Sequence, residues 1–433
     1  MSGRVRLSVI SFCAAVLLAA CSGGSTSPSP AAGGSAPPPT PSATSTVDAG
    51  YYRLVQYPDS GFSGFYAQTA AAQHTIDMEM YELADTTAES ALAAAAARHV
   101  TVRVLLDYDF SGHAVNQPAF DYLSAHGVQV RWAPTGVIFH IKAATFDGAT
   151  SDISTANLTS KYYADTRDAG IVDTDPAQVK AVEQTFDGDW NLGSTGRPND
   201  DAAQVSGLIW SPITGDSTAQ TALVNQIAAA RQSVFFESEE LSDAPLYNAL
   251  AAAAKRGVNC EVVMTDATQW HSAFATLDAA GCHVRTYPNR SGTLYIHEKL
   301  ILDDAGTPDA SLLLGSQNAS SSSLTRNREL GLLLTAAQAP SVISAVAATF
   351  AGDYSGATAW GSTPAANPAP GPTAAASHPT STGANSCTPL TNAGNCYRPG
   401  EQCRTVDRGS SGIDADGQPI TCRQANGWRW ETT

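Results

Sequence analysis

Two histidine–lysine pairs carry the chemistry this chain offers. In "HIKAATFD", His140, Lys142 and Asp147 stand in a spacing that "HEKLILDD" repeats with His297, Lys299 and Asp304. The only lysines are Lys142, Lys161, Lys180, Lys255 and Lys299, so two of a scarce residue are placed two positions after a histidine. Residues two apart on an extended segment share a face, which points each histidine the same way as its lysine. Further on, each string is followed by a hydroxyl, an amide and an acid: Thr155, Asn157 and Asp168, then Ser316, Asn318 and Glu329, with the same Asn-to-acid spacing in both. Two histidines, one neutral and one protonated, supply a nucleophile and a proton donor, while lysines and asparagines hold anionic oxygens as charge builds. That is the set a displacement at a phosphodiester requires, and the scheme calls for no cofactor and no metal.

The elements that must position these residues come in duplicate. "HTIDMEMYEL" overlays "QSVFFESEEL", pairing Glu79 with Glu237; "AAAARHVTVRVLL" overlays "AAAAKRGVNCEVVM"; "AHGVQVRWAP" overlays "AAGCHVRTYP"; and the copies close alike, "TFDGDW" against "TFAGDY". A match this long is one structural unit used twice. Within a copy, the alternation from Ile76 to Tyr81 predicts a strand, the alanine-rich run before Val100 a helix, and Val100 to Leu106 a buried strand. A second helix then leads to the strand around Val128–Arg131. The expected fold class is therefore α/β: two tandem sandwich repeats with largely parallel pairing and the active site at their interface, plus a small disulfide-rich C-terminal module. Cys260 overlays Val102 and Cys282 overlays Val128 on strands expected to be neighbours, which leaves either a disulfide or two buried thiols.

The duplicated HxKxxxxD string, followed by a small-residue turn, an Asn and an acid, closely resembles the signature of the phospholipase D superfamily, and the resemblance spans the whole duplicated body. It departs at Ser154-Thr155, where a Gly-Ser or Gly-Gly turn is common. The resemblance implies a phosphohistidine intermediate. His140 would attack phosphorus and His297 would act as general acid and then as base for water. Asp168 would orient His140, and Glu329 would orient His297. Lys142, Lys299, Asn157 and Asn318, with Thr155 and Ser316 as weaker candidates, would bind phosphate. The expected substrate is a glycerophospholipid, cleaved to phosphatidic acid and an alcohol; a nuclease or a cardiolipin synthase-like transferase of the same chemistry is the alternative. Asp147 and Asp304 fall at the far end of the strand and are expected to be structural.

Glu79 and Glu237 either border the cleft or are paired carboxylates. His113 and His271, with Phe110 and Trp270 beside them, follow equivalent strands and are candidates for head-group contacts. Arg326 and Arg328 flank the second acid and are candidates for phosphate attraction. His74, His99, His126 and His283 lack histidine counterparts in the overlay and are read as surface or loop residues.

The chain has 433 residues, 43% apolar and 15% charged, with a formal net charge of −16, a field that disfavours tracking a nucleic acid. Residues 1–21 read as an export signal. Its end, Leu18-Ala19-Ala20-Cys21, resembles a bacterial lipobox, making Cys21 the expected lipid attachment site and the cell envelope the expected location. If the lipobox is not used, the protein would be secreted. Residues 22–48 and 356–385 are spacers rich in Ser, Pro, Ala and Gly around repeats at 49–200 and 201–355, and 386–433 form a cysteine-rich module. Cys387, Cys396, Cys403 and Cys422 are expected to form two disulfides in a pairing left open. Trp428 and Trp430 alternate there, either packed on the disulfides or forming an aromatic ledge. "DADG" at 414–417 reads as a turn, and the protein is expected to act as a monomer.

Overall fold

The computed structural model describes residues 46–361 except 110–112, 161–162, 193–197, 199–201 and 213–217, and in the tail 403, 409–413, 418–425 and 427–432. The expectations for Cys21, Phe110, Cys387, Cys396 and the "DADG" turn lie outside the described residues.

The first repeat contains strands β1 Thr46–Ala49, β2 Tyr52–Tyr57, β3 Thr75–Met80, β4 Thr101–Leu106, β5 Gln129–Trp132, β6 Lys142–Phe146, β7 Thr150–Ser154 and β8 Thr166–Asp173. Its helices are α1 Ser63–Ala71, α2 Thr86–Ala97, α3 Gln117–Ala125 and α4 Pro176–Asn191. The second repeat contains β9 Leu208–Ser211, β10 Ser233–Glu237, β11 Asn259–Asp266, β12 His283–Pro288, β13 Tyr295–Ile296, β14 Leu300–Asp303, β15 Ser311–Gly315, β16 Glu329–Thr335 and β17 Thr358–Ala359. Helices α5 Ala219–Ala229, α6 Ala244–Lys255, α7 His271–Ala279, α8 Ser321–Thr325 and α9 Pro340–Gly356 complete it.

The sheet orders confirm the duplication. The first runs β1-β2-β8-β7-β6-β3-β4-β5 and the second β17-β12-β11-β10-β14-β15-β16-β9, the same central order read in opposite directions. The expectation of largely parallel pairing is corrected. Only β3-β4-β5 and β10-β11-β12 pair in parallel within their repeats, and the remaining neighbours in each sheet are antiparallel. The reason is connection length. Helical crossovers link the parallel strands, whereas β6 turns directly into β7, as β14 does into β15, and short turns join antiparallel neighbours.

The helices begin where the sequence provides caps. Asp85 and Asp243, which the overlay pairs, each accept a hydrogen bond from a first-turn amide, Ala88 N and Leu246 N. Alanine-rich interiors then favour helix and let α2 and α6 pack closely on their sheets. Those helix-facing cores are separate in the two halves. A third core is shared, drawing Ile141, Ile153 and Ile171 from the first half together with Leu302, Leu314 and Leu330 from the second. Strand β3 is buried on both faces: Ile76 and Met78 meet the helices, and the alternate residues Asp77 and Glu79 are also buried. Its alternation thus marks one apolar and one charged buried face.

Cys260 and Cys282 form a disulfide bridging the start of β11 to the residue before β12, with Cα atoms 4.7 Å apart. A loop of this length is worth about 3 kcal/mol by chain entropy. Ordered structure runs into the spacer predicted to begin at 356, because β17 adds an edge strand to β12 and Trp360 packs on Phe274. In the tail, β18 Ser411–Ile413, β19 Pro419–Ala425 and β20 Gly427–Thr432 form a three-stranded sheet. Cys403 is bonded to Cys422, and Trp430 is fully buried beside Cys422 rather than on a ledge. No helix among the described residues is long and apolar enough to cross a membrane.

Asp147 and Asp304, expected to be structural, each gather backbone amides. Both adopt left-handed backbone, with φ of 53° and 50°. The Asp147 carboxylate accepts from the amides of Gln73, His74 and Thr75, and that of Asp304 from Arg231, Gln232 and Ser233. Burial works against the Asp147 charge, but the three amides outweigh it and hold its carboxyl below the usual range. Each aspartate thereby fastens the end of the histidine strand to the start of the neighbouring strand, β3 or β10. Asp304→Ala should lower unfolding free energy by about 1–3 kcal/mol by leaving these amides unpaired. Urea denaturation measures the loss, and kcat of the remaining folded protein should be nearly unchanged.

Candidate active site

The two histidine strands enter the site by pairing with the opposite half. Strand β13 runs parallel to β8, placing Ile296 opposite Arg167, and the matching bridge in the other half joins Phe139 to Arg328. The amide of His297 then donates to the carbonyl of Arg167, and that of His140 to the carbonyl of Arg328. The residue following each arginine is the predicted acid, so each acid arrives beside the histidine of the other repeat.

The expected pairing of acids and histidines is therefore corrected. His140 Nδ1 lies 2.8 Å from Glu329 Oε2, and His297 Nδ1 lies 2.7 Å from Asp168 Oδ1. Asp168 orients His297 and Glu329 orients His140. His140 Nδ1 also meets the carbonyl of Ser316 at 3.1 Å, and two acceptors at one nitrogen place the proton there. Its Nε2 is left with a free lone pair.

Thr155 and Ser316 are also corrected. Both are fully buried. Thr155 Oγ1 donates to Asp168, Ser316 Oγ accepts from the amide of Leu330, and the Ser316 hydroxyl helps hold the Glu329 charge. They position the acids rather than reach for phosphate. Ser323 donates a second hydroxyl to Glu329, a contact with no counterpart among the predicted residues.

Lys142 and Lys299 are both buried, and each ammonium donates to the carbonyl of its own histidine. The shared face predicted from their spacing accounts for this. Burial pushes the Lys142 amine down to about 7, with Lys299 adding to the shift. Burial likewise lowers His140, Glu329 opposing and Lys142 reinforcing, so its imidazole is neutral. Burial alone would raise Glu329, but His140 and Lys142 hold its carboxyl below the usual range. The side-chain oxygens of Asn157 and Asn318 are buried without a hydrogen-bond partner; as acceptors they suit a donor rather than an anionic oxygen, so only the amide nitrogens of these residues can hold phosphate.

The repeats differ at one touching position. In the first, Tyr81 sets its ring edge-on to His140 at 4.5 Å, with Lys142 Nζ 4.7 Å from the ring centroid. In the second, Glu239 occupies the overlaid position, 3.1 Å from Lys299 Nζ and 3.4 Å from His297 Nε2. Sequence reasoning passed over both, and the mismatch inside an otherwise matching pair of strings was the available signal.

Beneath the histidines lies a second crossed layer. Arg328 of the second repeat pairs with Asp189 of the first at 2.7 Å, and Arg167 of the first grips Asp353 of the second through two nitrogens, at 2.6 and 2.9 Å. Arg328 is therefore buried in an ion pair and not a phosphate contact. Arg326, by contrast, is exposed. Glu79 and Glu237 belong to this layer: burial raises both carboxyls, with Asp189 adding for Glu79 and Glu298 for Glu237. His271 is half-buried with Nε2 2.7 Å from Asp266 Oδ1, whereas His113 stacks on Tyr108, so neither is tied by a contact to the histidine site.

A family model described as cardiolipin synthase, PLD-like domain matches residues 66–190 and 223–354, more than half the chain. The chain belongs to this PLD-like family, within the phospholipase D superfamily of phosphodiesterases and phosphatidyltransferases. A mitochondrial cardiolipin hydrolase of Xenopus laevis is 26% identical over 134 residues, 31% of this chain and 63% of the relative's length. Among solved structures, phosphatidylserine synthase of Haemophilus influenzae Rd KW20 superposes with a TM-score of 0.55 at 14% identity, covering 71% of this chain and 87% of that one. Polyphosphate kinase of Porphyromonas gingivalis gives 0.51 at 15% identity, covering 65% of this chain and 44% of that one. At these identities the two structures show a shared fold.

The Lys142 shift sets an expected pH profile. An amine at about 7 is charged below that pH and neutral above it, and the charged form is the one that holds an anionic oxygen. Phosphodiesterase kcat/KM should therefore fall as pH rises through about 7. The limb in kcat should lie higher, because a bound anion favours the ammonium. Lys142→Arg, which stays charged, should shift the fall away from about 7 even as overall activity drops, and pH–rate profiles of both proteins check this.

Proposed function

We propose that the protein is a phospholipase D-type phosphodiesterase that cleaves glycerophospholipids on the head-group side of phosphorus. The observation that carries this reading is the reciprocal pair of carboxylate-held histidines, set beside two buried lysines. His140 Nε2 attacks phosphorus and forms a P–N bond as the P–O bond to the head group breaks. His297 Nε2 gives its proton to the departing oxygen. Water then attacks, loses a proton to His297, and the P–N bond breaks to release phosphatidic acid. Lys142, Lys299 and the amide N–H groups of Asn157 and Asn318 hold the non-bridging oxygens.

The unlike environments of the two histidines support these roles. His140 is neutral against an aromatic edge, as a nucleophile must be. His297 stands between two carboxylates, Asp168 on Nδ1 and Glu239 on Nε2. Transfer to an alcohol in place of water uses the same intermediate, and the family match, described by a synthase, favours it as the second reading. A nuclease of this chemistry is disfavoured by the charge of −16. The export signal, the lipid on Cys21 and a place in the cell envelope as a monomer complete the proposal, since they would bring the site to a lipid surface.

The test supplies phosphatidylcholine, phosphatidylglycerol, cardiolipin and single-stranded DNA in parallel with chelator present. Lipid turnover yielding phosphatidic acid is expected, and DNA cleavage without it would contradict the reading. Asp168→Asn separates the roles. It impairs the proton donor, so turnover of lipid should fall by about 10²–10⁴-fold while a p-nitrophenyl ester, whose leaving group needs no proton, loses far less. Glu329→Gln should slow both substrates alike.

A further inference from the structure

Glu239 stands where a substrate anion would stand. Its Oε2 gathers Lys299 Nζ at 3.1 Å, His297 Nε2 at 3.4 Å and Asn318 Nδ2 at 3.5 Å, and its Oε1 accepts from Tyr295 Oη at 3.1 Å. Three of these four donors belong to residues assigned above to the phosphoryl group or the leaving oxygen. Burial works against the charge, yet Lys299 first and then His297 hold the carboxyl far below the usual range. The side chain is 26% exposed and so has a solvent side to turn toward. Its backbone is fixed nearby, between β10 and the bridge from Leu241 to Ala319. Tyr81, at the equivalent point of the first repeat, carries no charge at neutral pH, so the device exists in one half only.

We propose that Glu239 is a built-in occupant of the phosphate seat, yielding it to a phosphodiester and returning to expel the phosphomonoester product. This rests on reading the cleft as a phosphodiester site. The argument is one of charge. A carboxylate and a phosphodiester each carry one negative charge, so their exchange leaves the balance around Lys299 and His297 unaltered. A phosphomonoester or free phosphate carries between one and two charges near neutral pH, and it meets a displaced carboxylate that can move only a side chain's length away. Glu239 therefore discriminates by charge, admitting diesters and shedding monoesters. Without it the lysines and His297 would retain the more highly charged product.

Isothermal titration of inorganic phosphate into wild type and Glu239→Gln tests this, with inhibition by phosphate read in parallel on bis(p-nitrophenyl) phosphate and lipid turnover assayed alongside. The expected result is phosphate binding about tenfold or more tighter in the variant, with KM for the diester lowered by less. Equal or weaker phosphate binding in Glu239→Gln, in an enzyme that still turns over lipid, overturns this proposal alone. Absence of both phosphate binding and turnover from the wild type overturns the underlying reading as well. If Glu239→Gln does not fold, Tyr295→Phe serves in its place. Loosening the carboxylate should tighten phosphate binding severalfold, and an unchanged or weaker affinity overturns the proposal.

Discussion

Each of the two motif histidines, His140 and His297, is held by a carboxylate from the other repeat, and the rest of the structure depends on that exchange. His140 reaches Glu329 and His297 reaches Asp168 because the strand carrying each histidine is first paired, backbone to backbone, with the strand carrying the opposite acid. Neither half alone supplies both a motif histidine and the carboxylate that orients it. Duplication therefore does more than bring two motifs together: it makes the correct docking of the halves a condition for any site to exist.

The layer below repeats the same crossing with arginines. Arg328 with Asp189 and Arg167 with Asp353 bury charge at the junction, where an apolar contact of equal size would be at least as stable. Their value is in register. A slip of the halves would strand two guanidinium groups without partners, at several kcal/mol each, whereas an apolar interface would tolerate it. The buried acids Glu79, Glu237 and Glu298, the last raised to about 8 mainly by burial, surround these pairs and keep the layer from carrying a large net charge. The same burial, with the Lys299 ammonium, lowers Lys142, and burial with both ammonium groups helps keep His140 neutral. Docking and reactivity thus share one cause.

Much of this was legible in the sequence, and the limits are physical. The site residues were visible because their spacing is strict and occurs twice, and the disulfide because the overlay put Cys260 and Cys282 on neighbouring strands. The parallel sheet was overestimated because helical crossovers leave a stronger pattern than short turns such as the one at Asp147. Which acid serves which histidine was not legible, since proximity along the chain favours the partner in the same repeat. The two-residue strand Tyr295–Ile296 that reverses the choice leaves no periodic signal. Thr155 and Ser316 looked like phosphate ligands because hydroxyls serve equally well to bind an anion or to hold a carboxylate. Only their burial tells the two apart.

The crossed pairing is tested most directly by double-mutant cycles on folding stability that join His140 to Glu329 and, separately, His140 to Asp168. Contact between the first pair predicts a coupling of about 1–3 kcal/mol in that cycle and a markedly smaller one in the second. A larger coupling of His140 to Asp168 would contradict the account, returning each histidine to the acid of its own repeat.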